Sequence, residues 1–511
     1  MRRKMNRNIL VWLESSAEKY PTNIAFGDVK EEVTYTDLKN RARIIGSFLA
    51  ERVKPCSPVA FYLEKSCLAM CGMLGAVYVR GFYSVLDIRQ PHTRTEKTLD
   101  VLKPAVILTD RTNFENALTF AEKAPVFCLE DILQQGVVCE DKLQNIRRTA
   151  MDTDPLYVNF TSGSTGTPKG VTVCHRSVID FIECFVSTFQ IRESDVIGNQ
   201  APFDFDVSVK DIYSAMMTGA RVQIIPREFF SAPISLMDYL FAHQVTVLIW
   251  AVSAMCFVSI MNGLSYKVPE KVRMIMFSGE VMPIKHLKVW QKYLPDALYV
   301  NLYGPTEITC NCTYHILERV YEDTETIPAG VPFENEKVFL LDEHDREVIQ
   351  SGTEGEICVS GTCLALGYYN DPERTAQAFM QNPLNPFYHE RMYRTGDIGK
   401  YDAAGKLVYV SRKDFQIKHL GHRIELGEIE MAAMSGNGVT RACCIYDTVK
   451  KRIILFCTGI CDGKELLKEL RESLSPFMLP NSVHMLDEMP LNKNGKIDRK
   501  QLMDIYLDGK K

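Results

Sequence analysis

The sequence predicts an α/β protein: a large N-terminal domain of stacked, mostly parallel sheets with helices and a small barrel-like β section, then a small α+β C-terminal domain. Three observations predict it. Between about residue 35 and residue 300, helical patterns alternate with short β-rich apolar runs, and such alternation requires crossover connections and mostly parallel pairing. From about residue 328 the strand-like stretches are separated by Gly, Asp and Asn turn clusters, the texture of antiparallel pairing. In the C-terminal tail, apolar residues recur at helical spacing around two further β-rich runs.

The elements follow in order. PVAFYL (58–63), AVILTD (105–110), RVQIIP (221–226), VTVLIW (245–250) and VRMIMFSG (272–279) read as buried parallel strands. KVFLLDEHD, GEICVSG and KLVYVSRKD read as the strands of the antiparallel section. ELGEIEMAAM and GKELLKELRESLS read as helices, and RACCIYD and RIILFCTG as strands, of the tail.

A length of 511 residues exceeds one ordinary core, since a domain takes roughly 100 to 200 residues. With 46% apolar and 24% charged residues the composition is globular, and a net charge of -5 lacks the basic excess that nucleic-acid polymers or anionic membranes attract. The N-terminal apolar run, Ile9 to Leu13, is too short for a signal-peptide core and Glu14 follows it. No stretch reaches the ~18 apolar residues of a spanning helix. The expectation is a cytoplasmic protein without membrane insertion. Sixteen cysteines form no CxxC pair and sit mostly in apolar runs, as reduced, small buried hydrophobes do.

The most informative stretch is YVNFTSGSTGTPKGVTV, where a β-like run, Leu156 to Phe160, opens into Thr161, Ser162, Gly163, Ser164, Thr165, Gly166, Thr167, Lys169 and Gly170. Glycines let successive N–H groups converge on an anion, hydroxyls add donors, and a lysine adds charge, which suits polyphosphate. Gly170, rather than Ser or Thr, follows Lys169, so this is not a Walker-type loop.

TSGSTGTPKG resembles the signature of the adenylate-forming superfamily, and further stretches match in the order that family uses: NLYGPTE (301–307), GYYNDPERTAQAF (367–379), YRTGD (393–397), SRKDFQIKHLGHRIELGEIE (411–430) and LNKNGKIDRKQL (491–502). The resemblance runs from about residue 10 to the C-terminus. It is closest to amino-acid adenylating enzymes of the D-alanine:carrier-protein ligase type and to stand-alone nonribosomal peptide synthetase adenylation domains. The resemblance implies an N-terminal domain over 1–412, a hinge at Lys413 and Asp414, and a mobile C-terminal lid over 415–511. It implies ATP and Mg²⁺ as cofactors, and a reaction in which a carboxylate attacks the α-phosphorus as pyrophosphate leaves.

By the same resemblance Thr161, Ser162, Gly163, Ser164, Thr165, Gly166 and Lys169 hold the leaving phosphates. Asn301, Tyr303 and Gly304 form the nucleotide wall, with Tyr303 facing adenine. Thr306 meets the α-phosphate, Glu307 meets Mg²⁺, Asp397 accepts the ribose hydroxyls, and Arg412 contacts ribose and phosphate. Lys496 reaches both the substrate carboxylate and the α-phosphate. The chain departs from the family at Ser411, where a glycine usually precedes the arginine.

Asp206 matches the aspartate that pairs with the α-ammonium of an amino acid; Asp204 and Asp211 are read as solvated or capping. The remaining pocket positions are Val207, Lys210, Ile249, Met276, Ser278, Leu302, Cys310 and Asn311. Lys210 is discordant with an alanine pocket: it either pairs with an acidic substrate side chain or turns outward. With fifteen residues after Lys496, the acceptor is expected in trans, as the phosphopantetheine thiol of a separate carrier protein. The rival readings are an acyl-CoA synthetase acting on a small carboxylic acid, which has no use for Asp206, and a noncatalytic nucleotide sensor, which has no need of Lys496 and Glu307.

Overall fold

The computed structural model describes residues 6–163, 166–413, 415–491 and 497–508. The chain forms two compact units, one of Met1–Asp87, Lys103–Asn159 and Val171–Lys413, the other of Ile88–Leu102, Phe160–Gly170 and Asp414–Lys511.

The first unit holds a nine-stranded and a seven-stranded sheet. In the larger, Leu298–Tyr303, Met274–Ser278, Val247–Ala251, Val196–Asn199, Arg221–Ile224 and Ile24–Gly27 pair in parallel, and short antiparallel strands close both edges. In the smaller, Phe82–Leu86, Pro58–Tyr62, Val106–Thr109 and Val126–Cys128 are parallel neighbours. One hydrophobic core contains Ile249, Met276 and Val300 from the larger sheet, Tyr83 and Tyr157 from the smaller, and Phe181 and Ile212 from helices. Strands buried on both faces explain their continuous apolar text.

The antiparallel section is a five-stranded sheet of Glu336–Leu341, Glu354–Gly361, Arg391–Tyr401, Phe379–Gln381 and Leu407–Arg412. Arg391–Tyr401 and Leu407–Arg412 are joined by a tight turn in which Asp402 Oδ1 accepts from the Ala404 and Lys406 N–H groups. A one-residue register shift between Ile398 and Gly399 then sets Asp397 opposite Arg412.

In the second unit, Val439–Asp447 pairs antiparallel with Arg452–Gly459, which pairs in parallel with Ser482–Leu486. Period-two alternation sends Ala442 and Cys444 to a core with Ile429 and Leu466, and Cys443 and Ile445 to a core with Leu502 and Tyr506. The neighbouring cysteines therefore serve opposite faces, and all sixteen cysteines are free. Among the described residues no helix is long and apolar enough to cross a membrane.

Candidate active site

In the first unit, the strand Leu298–Tyr303 ends at Gly304 and Pro305 and passes into the short 3-10 turn Thr306–Ile308. Gly304 is required by close approach: a Cβ there would lie 2.5 Å from Asn311 Cα and 2.7 Å from the Cys310 oxygen. The Cys312 N–H donates to the Tyr303 carbonyl at 2.8 Å, fixing this crossing. The Tyr303 hydroxyl donates to Asp397 Oδ2 at 2.6 Å, and Arg412 Nη1 donates to Asp397 Oδ1 at 2.6 Å. Burial, with the Asp397 charge second, raises the Tyr303 phenol well above its ordinary pKa, so it remains a donor. Asn301 Nδ2 donates to the Pro328 oxygen at 2.8 Å. Glu307 is fully buried, and its Oε1 accepts from the Tyr368 hydroxyl at 2.8 Å; Thr306 beside it is half-buried.

The expected acyl-pocket residues gather in the same unit. Ile249 and Met276 are register partners on parallel strands, and Met276 pairs in turn with Val300. Ser278 and Leu302 lie two residues further along their strands and so share that face. Asp206 is half-buried at the start of the helix Val207–Thr218 and makes no capping hydrogen bond. Its carbonyl accepts from Cys310 Sγ at 2.9 Å. Burial, and then the charges of Cys310 and Asp206, raise the Tyr157 phenol well above its ordinary pKa.

Two expectations are corrected here. Lys210 does not turn outward: it is fully buried, and its Nζ donates to Asn311 Oδ1 at 2.5 Å. Among the described residues no carboxylate lies within ion-pair range of that ammonium. Asp211 is neither solvated nor capping: it is fully buried, and Oδ2 accepts from Asn199 Nδ2 at 2.7 Å. Burial pushes its carboxyl up to about 7. Asn199 in turn accepts from Lys65 Nζ at 3.1 Å, through its side-chain oxygen, and burial pushes the Lys65 ammonium down to about 7. Lys65 and Asn199 do not stand out in the sequence, where Lys65 lies between Glu64 and Ser66 just beyond a strand and Asn199 ends a strand beside Gln200.

The glycine-rich loop joins two neighbouring strands of the seven-stranded sheet, Pro155–Thr161 and Lys169–Cys174. Thr161 Oγ1 is buried and has no hydrogen-bond partner among the described residues. Gly166 adopts φ +70°, a left-handed conformation that glycine takes without strain, and its N–H donates to the Gly163 oxygen at 2.9 Å. Within the second unit Ser162 Oγ donates to the Arg423 carbonyl at 2.9 Å and accepts from the Glu425 N–H at 3.1 Å. The Gly163 N–H donates to Glu428 Oε2 at 3.2 Å, and Lys169 Nζ lies 3.7 Å from Glu425 Oε1. Arg94, on the helix His92–Leu102, pairs with the other Glu428 oxygen. Sequence alone assigns these glutamates no role at the site, because acids in a first helical turn ordinarily serve the helix dipole. Ser164, Thr165, Asp414 and Lys496 lie outside the described residues. Lys413, at the end of the first unit, donates its N–H to the Gly396 oxygen at 2.8 Å.

Each unit by itself carries groups that suit part of a nucleotide: the second an orphaned threonine hydroxyl in a glycine loop, the first a carboxylate held between a tyrosine and an arginine. Among the described residues no group of three or more His, Cys, Asp or Glu could hold a metal. A single buried carboxylate such as Glu307 still suits Mg²⁺, which keeps several waters and takes its remaining ligands from phosphate.

Comparison with known proteins gives the geometry a family. The model of the AMP-binding enzyme family matches residues 13–369, and that of the AMP-binding enzyme C-terminal domain matches 428–496. Zwittermicin A synthase ZmaJ of Bacillus cereus is 32% identical over 96% of this chain and 93% of its own. Tyrocidine synthase 1 of Brevibacillus parabrevis is 29% identical over 96% of this chain, which spans only 44% of that protein's length. The adenylation domain AlmE of Vibrio cholerae, solved with glycyl-adenosine-5'-phosphate, superposes with a TM-score of 0.84 at 21% identity over 99% of each chain. The chain belongs to the AMP-binding enzyme family, within the amino-acid adenylation branch of the adenylate-forming superfamily.

Proposed function

We propose that the protein activates an amino acid with ATP and then transfers it to a thiol. The substrate carboxylate attacks the α-phosphorus, the bond to the β-phosphate oxygen breaks, and pyrophosphate leaves. The phosphopantetheine thiol of a separate carrier protein, supplied in trans, then attacks the mixed anhydride, loses its proton and releases AMP. A cytoplasmic location belongs to this reading, since ATP is supplied there.

Such chemistry asks the protein to position two anions and neutralise charge. In this reading Thr161, Ser162, Lys169 and the intervening loop hold the departing phosphates. Tyr303 and Asn301 face the base, and Asp397, oriented by Arg412, accepts the ribose hydroxyls. Thr306 and Lys496 meet the α-phosphate. Glu307 would hold Mg²⁺, which supplies positive charge to the phosphate oxygens when bound. Lys413 and Asp414 serve as the hinge of the C-terminal lid.

The observation that carries the amino-acid reading is Asp206: a half-buried carboxylate at the start of a helix that it does not cap, its backbone carbonyl bonded to Cys310 Sγ. An α-ammonium is the partner such a group takes, whereas a simple carboxylic acid offers none. Lys210 refines the choice of side chain. A buried ammonium whose hydrogen bond goes to a neutral amide, with the Asp211 carboxyl acting on it only at longer range, is costly, and a substrate bearing an acidic group would add a direct partner.

Hydroxylamine trapping tests this proposal. Mixing enzyme, MgATP and amino acids with hydroxylamine should yield an aminoacyl hydroxamate with one AMP and one pyrophosphate. ADP and phosphate in their place would refute adenylation.

A further inference from the structure

We propose that Glu425 and Glu428 occupy the phosphate cradle of the glycine-rich loop in place of phosphate oxygens, so that ATP enters and pyrophosphate leaves by exchange with these two carboxylates. This rests on the reading of Thr161 to Lys169 as the polyphosphate site.

Three donors that would serve a polyphosphate are already taken, all by residues 423–428. The Ser162 hydroxyl bonds the Arg423 carbonyl, the Gly163 N–H bonds Glu428 Oε2 at 3.2 Å, and the Lys169 ammonium lies 3.7 Å from Glu425 Oε1. Carboxylate and phosphate oxygens ask for the same partners: converging N–H groups, a hydroxyl and a cation.

The ordinary role for these acids is absent or incomplete. Glu425 is the N-cap of the helix Leu426–Met434 yet its side chain makes no capping hydrogen bond. Its carboxylate is instead shared between Lys169 and Gln416 Nε2. Glu428, three residues on and so on the same helix face, has one oxygen on Arg94 and the other on Gly163. Glu428 and Lys169 are both buried, so the pairing is little screened by solvent.

A triphosphate cannot share these donors with two carboxylates, because like charges at contact distance repel strongly. Phosphate binding and the glutamate contact are therefore mutually exclusive. The apparent affinity for ATP and for pyrophosphate is lowered by the fraction of molecules in which the cradle is filled. Once pyrophosphate departs, the return of Glu425 and Glu428 blocks its re-entry and opposes reversal.

Steady-state ATP/pyrophosphate exchange with Glu425→Gln, Glu428→Gln and Lys169→Ala tests the idea. The glutamine variants should lower KM for both ATP and pyrophosphate by about fivefold or more. Unchanged or raised KM values in both, alongside a raised ATP KM in Lys169→Ala, would overturn the inference and leave the phosphate-loop reading standing. Unchanged ATP and pyrophosphate KM in Lys169→Ala would instead remove the loop reading, and the inference with it. Should the glutamine variants fail to fold, hydrogen exchange on the unmodified enzyme decides. Adding magnesium pyrophosphate should speed exchange across residues 423–430, and no change there under saturating pyrophosphate would refute the proposal.

Discussion

Asp206, the N-cap of the helix Val207–Thr218, and Lys210 sit one helical turn apart, and in the proposed function each meets a substrate group. Removing the Asp206 carboxylate strands the substrate ammonium. Asp206→Ala should lower kcat/KM for the amino acid by at least about a hundredfold, or roughly 3 kcal/mol, with ATP KM within about twofold; normal amino-acid kinetics would move the ammonium site elsewhere. Lys210→Met removes a buried cation at nearly constant volume. Side-by-side kcat/KM values should shift from acidic toward small or apolar amino acids by at least about tenfold, and a flat profile would make Lys210 and Asn311 a structural floor. These residues also mark where sequence reading stops. Asp397 and Arg412 are legible because each falls inside a family motif, YRTGD and SRKD, although the register shift that sets them opposite one another leaves no mark in the text. Lys210 is half-legible: its charge stands out, but its partner Asn311 is 101 residues away and set by the crossing at Gly304. Asp211 is easily misread, because one sequence gives no sign that Asn199 and Lys65 converge on it.

At the scale of elements, strand and helix types are readable from period and turn chemistry, since a strand buried on both faces has continuous apolar text. What the text withholds is which loops meet. The crossing of Gly304 over residues 310–312 brings the end of one strand against the return of the next, and carries Tyr303, Cys310 and Asn311 with it. Gly304→Ala would press a methyl to 2.5 Å from Asn311 Cα. Overpacking of that kind costs about 1–3 kcal/mol. The variant should have a lower urea midpoint and raised KM for both ATP and amino acid; a change in only one KM would show the two groups to be independent. The partnership of the loop 160–170 with residues 423–428 is likewise invisible in the text, because it spans 265 residues from Gly163 to Glu428.

The whole molecule carries its own pH signature. His175, at the start of the helix His175–Phe189, is buried, and its Nδ1 accepts from the Ile9 N–H at 3.4 Å. Burial pushes its pKa down to about 4 from 6.5. Between those values the unfolded chain binds a proton that the folded one refuses, so stability falls as pH drops from about 6.5 toward 4, by up to about 3 kcal/mol. His175→Gln should reduce the slope of the urea midpoint over that window, leaving the share of other histidines such as His422, which burial pushes down to about 3, and an unchanged slope would assign the proton uptake to those groups. The central claim, that this molecule joins amino acids to AMP, is tested most directly by ATP/pyrophosphate exchange across L- and D-amino acids, acetate and longer carboxylic acids. Exchange that needs Mg²⁺ and responds to one or a few amino acids is the predicted result; exchange driven by acetate or fatty acids and by no amino acid would contradict it.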